Sequence, residues 1–200
     1  MTRKEQKEKR RWQIISTALD LFISNGYAAT KIQDIAEAVG MSVGLLFHYF
    51  ESKEKLYEEM IKIGVSSPRT VLNGIKGEPL VFFQTTAKEI LHFFETKPFV
   101  VKMTILMAQA SNNTVAPVSV KKLLAGNDYI KPSVKIIKKG QKDGTIKEGD
   151  PLALAFAFWA SVQGIAELKA KNPNLPIPDS EWIVDILRSK KSKKPPKNSL

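Results

Sequence analysis

Apolar residues recur at three- and four-residue spacing along almost the whole chain, and that period predicts helices. Trp12, Ile15, Ala18, Leu19 and Phe22 form the first apolar face, and Asn25-Gly26 ends it, glycine being suited to the left-handed stop of a helix. Thr30-Lys31-Ile32-Gln33 has the form of a capping box. It starts a short helix over Ile32–Val39, with Ile32, Ile35, Ala36 and Val39 on one side and Gly40 as its stop. Ser42 suits the N-cap of a second short helix, about Val43 to Phe50. Ser52 caps a third, which runs past Leu56, Tyr57 and Met60 towards Ile63.

Ser66-Ser67-Pro68 and the run Gly74 to Pro79 read as breaks, so a boundary is expected near residues 64–78. Beyond it the pattern predicts helices over Leu80–Glu95 and Phe99–Gln109, two helical pieces within Val118–Gly140, and a turn over Gly140–Asp150. Pro151 suits the first turn of the next helix. That helix, Leu152–Lys169, is apolar nearly all round, so burial on every side is expected. One face would pack on its own core, and a second copy of the chain is the natural cover for the other. Phe158, Val162 and Ile165, with Ile183, Ile186 and Leu187 from a last helix, are the expected dimer interface. The fold class is all-α, with no internal repeat and no strand alternation.

Composition narrows the function. The chain has 200 residues, 43% of them hydrophobic, enough for a real core. It has no cysteine and two histidines, which excludes a disulfide scaffold, a thiol nucleophile and a cysteine zinc site. No cofactor and no metal are expected. No catalytic triad spacing, Gly-rich phosphate loop or metalloprotease motif is present, so the chain does not read as an enzyme. The charged start is not a secretory signal. Leu152–Ala166, interrupted by Ser161 and Gln163, is shorter than the roughly 20 residues of a membrane span. No membrane partner is expected, and the setting reads as cytoplasmic.

The formal net charge is +11, but it is concentrated at the ends. Residues 1–11 hold six Lys/Arg against two Glu, and residues 188–200 hold six against none. The 176 residues between them carry only +1. The Lys/Pro/Ser segment at 189–200 has almost no apolar content and reads as a disordered basic tail. It would add nonspecific DNA affinity or simply solubility.

The informative segment is Ile32–Phe50. Two short helices meet at a turn containing Gly40, with small Ala36 where they cross and apolar Leu46 where the second packs back. That is a helix-turn-helix, whose second helix can enter the DNA major groove; an ordinary helical hairpin is the alternative. Thr30–Leu56 reads TKIQDIAEAVGMSVGLLFHYFESKEKL and is preceded by ALDLFISNGYAAT. Over roughly residues 10–60 this resembles the DNA-binding domain of the TetR family of bacterial repressors. GQKDGTIKEGDPLALA resembles that family's turn into its dimerisation helix.

The resemblance implies an N-terminal three-helix DNA-binding domain (1–54, with the basic arm) and a C-terminal helical effector-binding and dimerisation domain (55–188). It implies a homodimer on a double-stranded operator and a small-molecule effector that releases it. Residue by residue, Thr30, Lys31 and Lys53 would contact phosphate, and Ser42, Val43 and Gly44 would open the recognition helix. Phe47, His48 and Tyr49 would be its exposed aromatic run. The order Phe47-His48-Tyr49-Phe50 departs from the family's usual Tyr-x-His-Phe, which leaves open whether His48 or Tyr49 takes the phosphate. Phe47 is equally compatible with core packing.

No Arg, Asn or Gln lies between Val43 and Phe50. Val43 and Phe47 are therefore expected to read thymine methyls, with DNA shape contributing. The arm Arg3–Arg11, placed before the first helix, would reach phosphates or the minor groove, or else be a solvated charge run. Phe93, Phe94, Met103, Met107, Phe156, Trp159 and Gln163 are the expected effector pocket, lined as small-molecule sites are, with plain core as the alternative. The absence of an acidic cluster there points to a neutral or hydrophobic effector. Control by a protein partner or by abundance, without a ligand, is the competing reading.

Overall fold

The computed structural model describes the backbone of residues 1–74, 77–125 and 128–190, and the side chains of those residues apart from 67–74. The basic tail falls, from residue 191 on, outside the described residues. Among them the chain runs through α1 (Arg3–Asn25), α2 (Ile32–Val39), α3 (Val43–Phe47), α4 (Lys53–Gly74) and α5 (Pro79–Thr96). It continues through α6 (Pro98–Ser111), α7 (Val118–Ala125), α8 (Ile130–Lys142), α9 (Pro151–Lys171) and α10 (Ser180–Val184). The fold is all-α, and the described β pairing is one isolated antiparallel bridge, Ile146 with Arg188.

Three elements differ from the pattern-based expectation. The basic arm does not precede α1 but forms its first turns. Thr2 and Glu5 close a reciprocal capping box, the Glu5 N–H donating to the Thr2 hydroxyl at 3.2 Å and the Thr2 N–H to Glu5 Oε2 at 2.8 Å. That satisfies two otherwise orphaned donors and starts the helix nine residues before Trp12. Second, α4 does not break at Ser66-Ser67-Pro68 but continues to Gly74. The Ser66 hydroxyl donates to the Ile63 carbonyl at 3.0 Å, keeping its polar group within the helix. Third, α10 is short. Ile186 and Leu187 follow it in a segment tied by Lys147 N–H to the Leu187 carbonyl (2.9 Å) and Ser189 N–H to the Thr145 carbonyl (3.0 Å).

The chain divides into two compact units. In the first, Met1–Arg69 with Lys97–Asn127, α1 packs on α2 and α6. Ile14, Leu19, Phe22, Ile35, Leu46, Leu56, Tyr57 and Met60 are almost fully enclosed, joined by Met103 and Leu106 from α6. Trp12 meets Phe99 edge-on at 5.8 Å, and Lys102 pairs with Asp20 at 2.5 Å. Gly64 lets Met107 lie against the α4 backbone, where a Cβ would stand 2.4 Å from the Met107 sulfur. Met103 and Met107 thus pack within this unit.

The second unit, Thr70–Thr96 with Asp128–Leu200, is built from α5, α8, α9 and α10. Ala155, Phe158, Val162 and Ala166 form the buried stripe of α9. The Phe158 ring meets Phe83 at 4.9 Å. Trp159 donates its indole N–H to the Ser133 hydroxyl at 2.9 Å and lies tilted against the Tyr129 ring, centroids 5.4 Å apart. Arg188 forms ion pairs with Glu181 and Asp185.

In this unit the residues expected at the dimer interface and in the pocket lie as follows. Phe158, Val162, Ile183 and Leu187, expected at a dimer interface, are 0%, 5%, 8% and 0% exposed and belong to the unit's own core. Ile165 and Ile186 are half-buried. Phe156, expected in a pocket, is instead 63% exposed, with Leu152 one turn earlier at 57%. The exposures of Phe156 and Phe158 are the reverse of those expected because a helix apolar all round carries no phase in its pattern. Gln163 is half-buried, and its amide donates to Glu167 at 3.0 Å. Phe94 is buried and Phe93 half-buried. By length and composition α9, 21 residues with hydropathy 1.3, is long and apolar enough to cross a membrane. The expectation of a shorter stretch stopped at Ala166, whereas the helix carries on to Lys171.

Candidate nucleic-acid interface

The helix-turn-helix is set by three local devices. Gly40 ends α2 in the left-handed conformation (φ 71°, ψ 45°), which other residues adopt at a cost. The Met41 N–H donates to the Ala36 carbonyl at 2.9 Å, closing the turn. Ser42 caps α3, its hydroxyl accepting from the Leu45 N–H at 3.2 Å.

Leu46 is fully buried with Ile35, Ala36 and Val39. At about 100° per residue this fixes what the rest of α3 shows to solvent. Gly44 and His48 lie opposite Leu46 and are exposed, while Leu45 and Phe47 flank them at 43% and 45% exposure. Val43 and Tyr49 are half-buried against the core. A Cβ at Gly44 would meet nothing within 4 Å, so the glycine is not demanded by packing within the chain. Leu45 was not singled out from sequence. The inward Leu46 that the pattern predicts already places Leu45 and Phe47 symmetrically on either side.

Two residues expected at phosphate are engaged elsewhere. Thr30 is fully buried, its hydroxyl directed at the carbonyls of Gly26 (2.8 Å) and Leu21 (3.2 Å). The cap of α2 is accordingly Lys31, whose N–H donates to Asp34 Oδ2 at 2.8 Å, so the box closes on Asp34 and not on Gln33. The Lys53 ammonium donates to the carbonyls of Tyr27 (2.9 Å) and Thr30 (2.8 Å) and lies 4.4 Å over the Tyr27 ring. Burial holds it below the usual lysine value, with Glu54 and Asp34 opposing. Burial, helped by Glu54 and Tyr57, pushes the Tyr27 phenol up to about 12. Lys53 is therefore a strap on the turn between α1 and α2.

Arg11 has a similar duty at the other end of α3. Its guanidinium donates to the Tyr49 carbonyl at 3.1 Å, pairs with Glu59 and sits over Phe50. In sequence it was only one charge of the basic arm. Lys31, at the start of α2, remains exposed beside a notch of about 330 Å³ that also takes in Gln33, Phe47 and Ser52. Among the described residues no group of three or more His, Asp or Glu is placed to hold a metal.

The comparisons fall on the same segment. Residues 14–60 match the family model described as bacterial regulatory proteins, tetR family. The HTH-type transcriptional repressor KstR2 of Rhodococcus jostii is 27% identical over 172 residues, 80% of this chain and 79% of its own. Among solved structures, KstR2 of Mycobacterium tuberculosis superposes with a TM-score of 0.70 at 16% identity, covering 90% of this chain and 96% of its own. AibR, solved with isovaleryl coenzyme A and operator DNA, gives 0.66 at 21% identity, covering 88% and 94%. With the helix-turn-helix formed as its caps and turn dictate, residues 14–60 are a TetR-family DNA-binding segment, and the chain is a DNA-binding transcriptional regulator.

Proposed function

We propose that the chain is a cytoplasmic repressor that holds a double-stranded operator as a homodimer and leaves it when a small, largely hydrophobic effector binds its C-terminal helices. The single observation that carries the DNA part is the outer face of α3, where Gly44, Leu45, Phe47 and His48 are exposed around a fully buried Leu46. Residues 1–54 act as the reading head and 55–188 as the effector and dimerisation body. Ser42 and Lys31 meet phosphate, and Val43, Leu45 and Phe47 offer apolar contacts to thymine methyls. His48, opposite Leu46, takes the phosphate contact, while Tyr49 packs on the core. Segment 12–55 carries three lysines against five acids, so attraction to the duplex leans on the first turns of α1 and on doubling in a dimer.

Three features support the finer reading. The named repressor activity of the Rhodococcus jostii relative favours repression, and isovaleryl coenzyme A on AibR favours an acyl-bearing or otherwise hydrophobic effector. In the second unit the Thr86 hydroxyl is buried and, among the described residues, lacks a hydrogen-bond partner. A ligand polar group is one way to satisfy it.

A footprint of the full chain on the DNA upstream of its own coding sequence, with and without short and medium acyl coenzyme A thioesters, tests the proposal. Protection of two half-sites, lost on adding one thioester, is the expected result. Protection unchanged by ligands that stabilise the protein overturns the release mechanism, and absence of any protected site overturns the operator reading.

A further inference from the structure

A cavity of about 370 Å³ lies within the first unit, and none of its lining residues belongs to α3 or to the expected effector set. That volume falls in the range of small-molecule sites. Its floor is aromatic. Phe22 and Tyr57 are 1% and 2% exposed and meet edge-on at 5.1 Å, and Tyr27 tilts against Tyr57 at 4.5 Å. The wall carries no carboxylate, ammonium or guanidinium. Its polar edge is made of amides. Gln109 donates its Nε2 to the Ile23 carbonyl at 3.2 Å, and Asn113 Oδ1 accepts from the Val115 N–H at 3.0 Å. That engages the Gln109 nitrogen and the Asn113 oxygen, and one Asn113 amide N–H donates to the Tyr57 phenol, so Gln109 presents an acceptor and Asn113 its second N–H. A carboxamide is the complement of that pair.

We propose that this cavity binds a small, flat, uncharged molecule with an amide-like polar edge, and that its occupancy is transmitted to the DNA-reading head through the Gly26–Ala29 turn. The route is short. Tyr27 is a wall of the cavity and also the ring beneath the Lys53 ammonium. Lys53 in turn holds the carbonyls of Tyr27 and Thr30, the residue before the cap of α2. A molecule that shifts the Tyr27 ring changes how that strap is seated, and with it the start of α2. The site is separate from the effector reading of the C-terminal helices and does not depend on it.

Benzamide is the probe, with benzoate and benzylammonium as charge controls, titrated into the isotope-labelled full chain and followed by NMR. The expected result is saturable shifts of the Ala28, Ala29, Leu106 and Val115 methyls, on the order of millimolar affinity for so small a ligand. The amides of Lys31 to Ile35 move with the same binding curve. Both charged analogues bind at least about fivefold more weakly, because their charge meets no partner in the cavity. Asn113→Leu weakens benzamide by about as much, the share of one hydrogen bond. Non-saturating shifts, equal response to all three probes, or methyl shifts without movement of the Lys31–Ile35 amides each overturn the proposal. The wild-type comparison decides the matter even if the variant folds poorly.

Discussion

The Arg11 guanidinium lies 4.4 Å from the centre of the Phe50 ring. It thereby joins α1 to the segment immediately after the recognition helix. The same group donates to the Tyr49 carbonyl and pairs with Glu59, so one side chain fixes where α3 ends. Arg11→Ala is expected to cost about 1–3 kcal/mol, from the lost cation–π contact, charged hydrogen bond and packing. Operator affinity falls, but its salt dependence keeps the same slope, because no phosphate contact is removed. Removing the exposed arm charges Arg3, Lys4 and Lys7 has the opposite signature, a shallower slope with unchanged stability. Denaturant unfolding beside DNA titrations at several salt concentrations separates the two. A shallower slope for Arg11→Ala would return it to the phosphate-binding arm.

Lys53 gives a parallel test. Lys53→Met keeps much of the apolar stem but loses the bonds to the Tyr27 and Thr30 carbonyls, an expected loss of about 1–2 kcal/mol. As a strap it leaves the slope of log affinity against log salt unaltered. As a phosphate ligand it would lower that slope by about one. Lys31→Met is the contrasting variant, expected to lower the slope with little effect on stability.

The strap also predicts an alkaline response. Tyr27 is raised from 10.0 to about 12 in the folded chain, so the unfolded chain gives up that proton first. Stability from this phenol is complete below pH 10 and is lost as the pH rises towards 12. Lys53 is lowered, which works the other way: its charged form is disfavoured in the fold, and that penalty disappears as the ammonium deprotonates. Tyr57, raised by burial, adds to the Tyr27 effect. Tyrosinate absorbance against pH should show Tyr27 and Tyr57 ionising late, and Tyr27→Phe should flatten the alkaline fall in stability. An identical fall in the variant would count against the assignment.

The head was legible in sequence because its signals are local. Gly40, Ser42 and the Ile35–Ala36–Val39–Leu46 spacing each act within a turn or two, and each behaves in the structure as its chemistry requires. Lys53 and Arg11 were misplaced because their partners are distant in sequence, and Thr30 because its hydroxyl turns back to the Gly26 and Leu21 carbonyls. The Lys53 ammonium binds carbonyls 26 and 23 residues away, and Arg11 reaches Tyr49 across 38. A basic side chain near a DNA-binding motif gives no sign, by itself, of whether it faces a phosphate or a backbone carbonyl. The C-terminal helices were legible as elements but not in rotation, since α9 is apolar on all sides.

Thr86 offers a test of the effector reading. With its hydroxyl buried and unpartnered, Thr86→Val removes an unsatisfied polar group and nearly keeps the shape. Stability is expected to hold or to rise by about 1 kcal/mol. If the hydroxyl serves a ligand, the same change weakens the effector about tenfold and leaves operator affinity alone. Thermal melts with and without the acyl thioester that releases the operator measure both effects. A variant that is less stable and binds the thioester as wild type does would show the hydroxyl to be structural.

Phe156 and Phe158 stand two residues apart on α9 with opposite environments, 63% and 0% exposed. Phe158 packs against Phe83 and Trp159 within its unit, so Phe158→Ala is expected to cost about 3–5 kcal/mol through the cavity it leaves. Phe156 has no comparable burial to lose. Its ring, with Leu152 at 57% exposure, forms the apolar face that a second copy would cover. Phe156→Asp should therefore leave the melting of the isolated chain nearly unchanged. In a dimer it places two carboxylates where the symmetry of the contact brings like residues near each other, and an unpaired buried charge is costly. Sedimentation at micromolar protein is expected to show dimers for the wild type and monomers for Phe156→Asp, with operator affinity falling because the two heads no longer act together. A variant that stays dimeric would move the interface off this face, leaving Leu152 and Phe156 without the role their exposure implies.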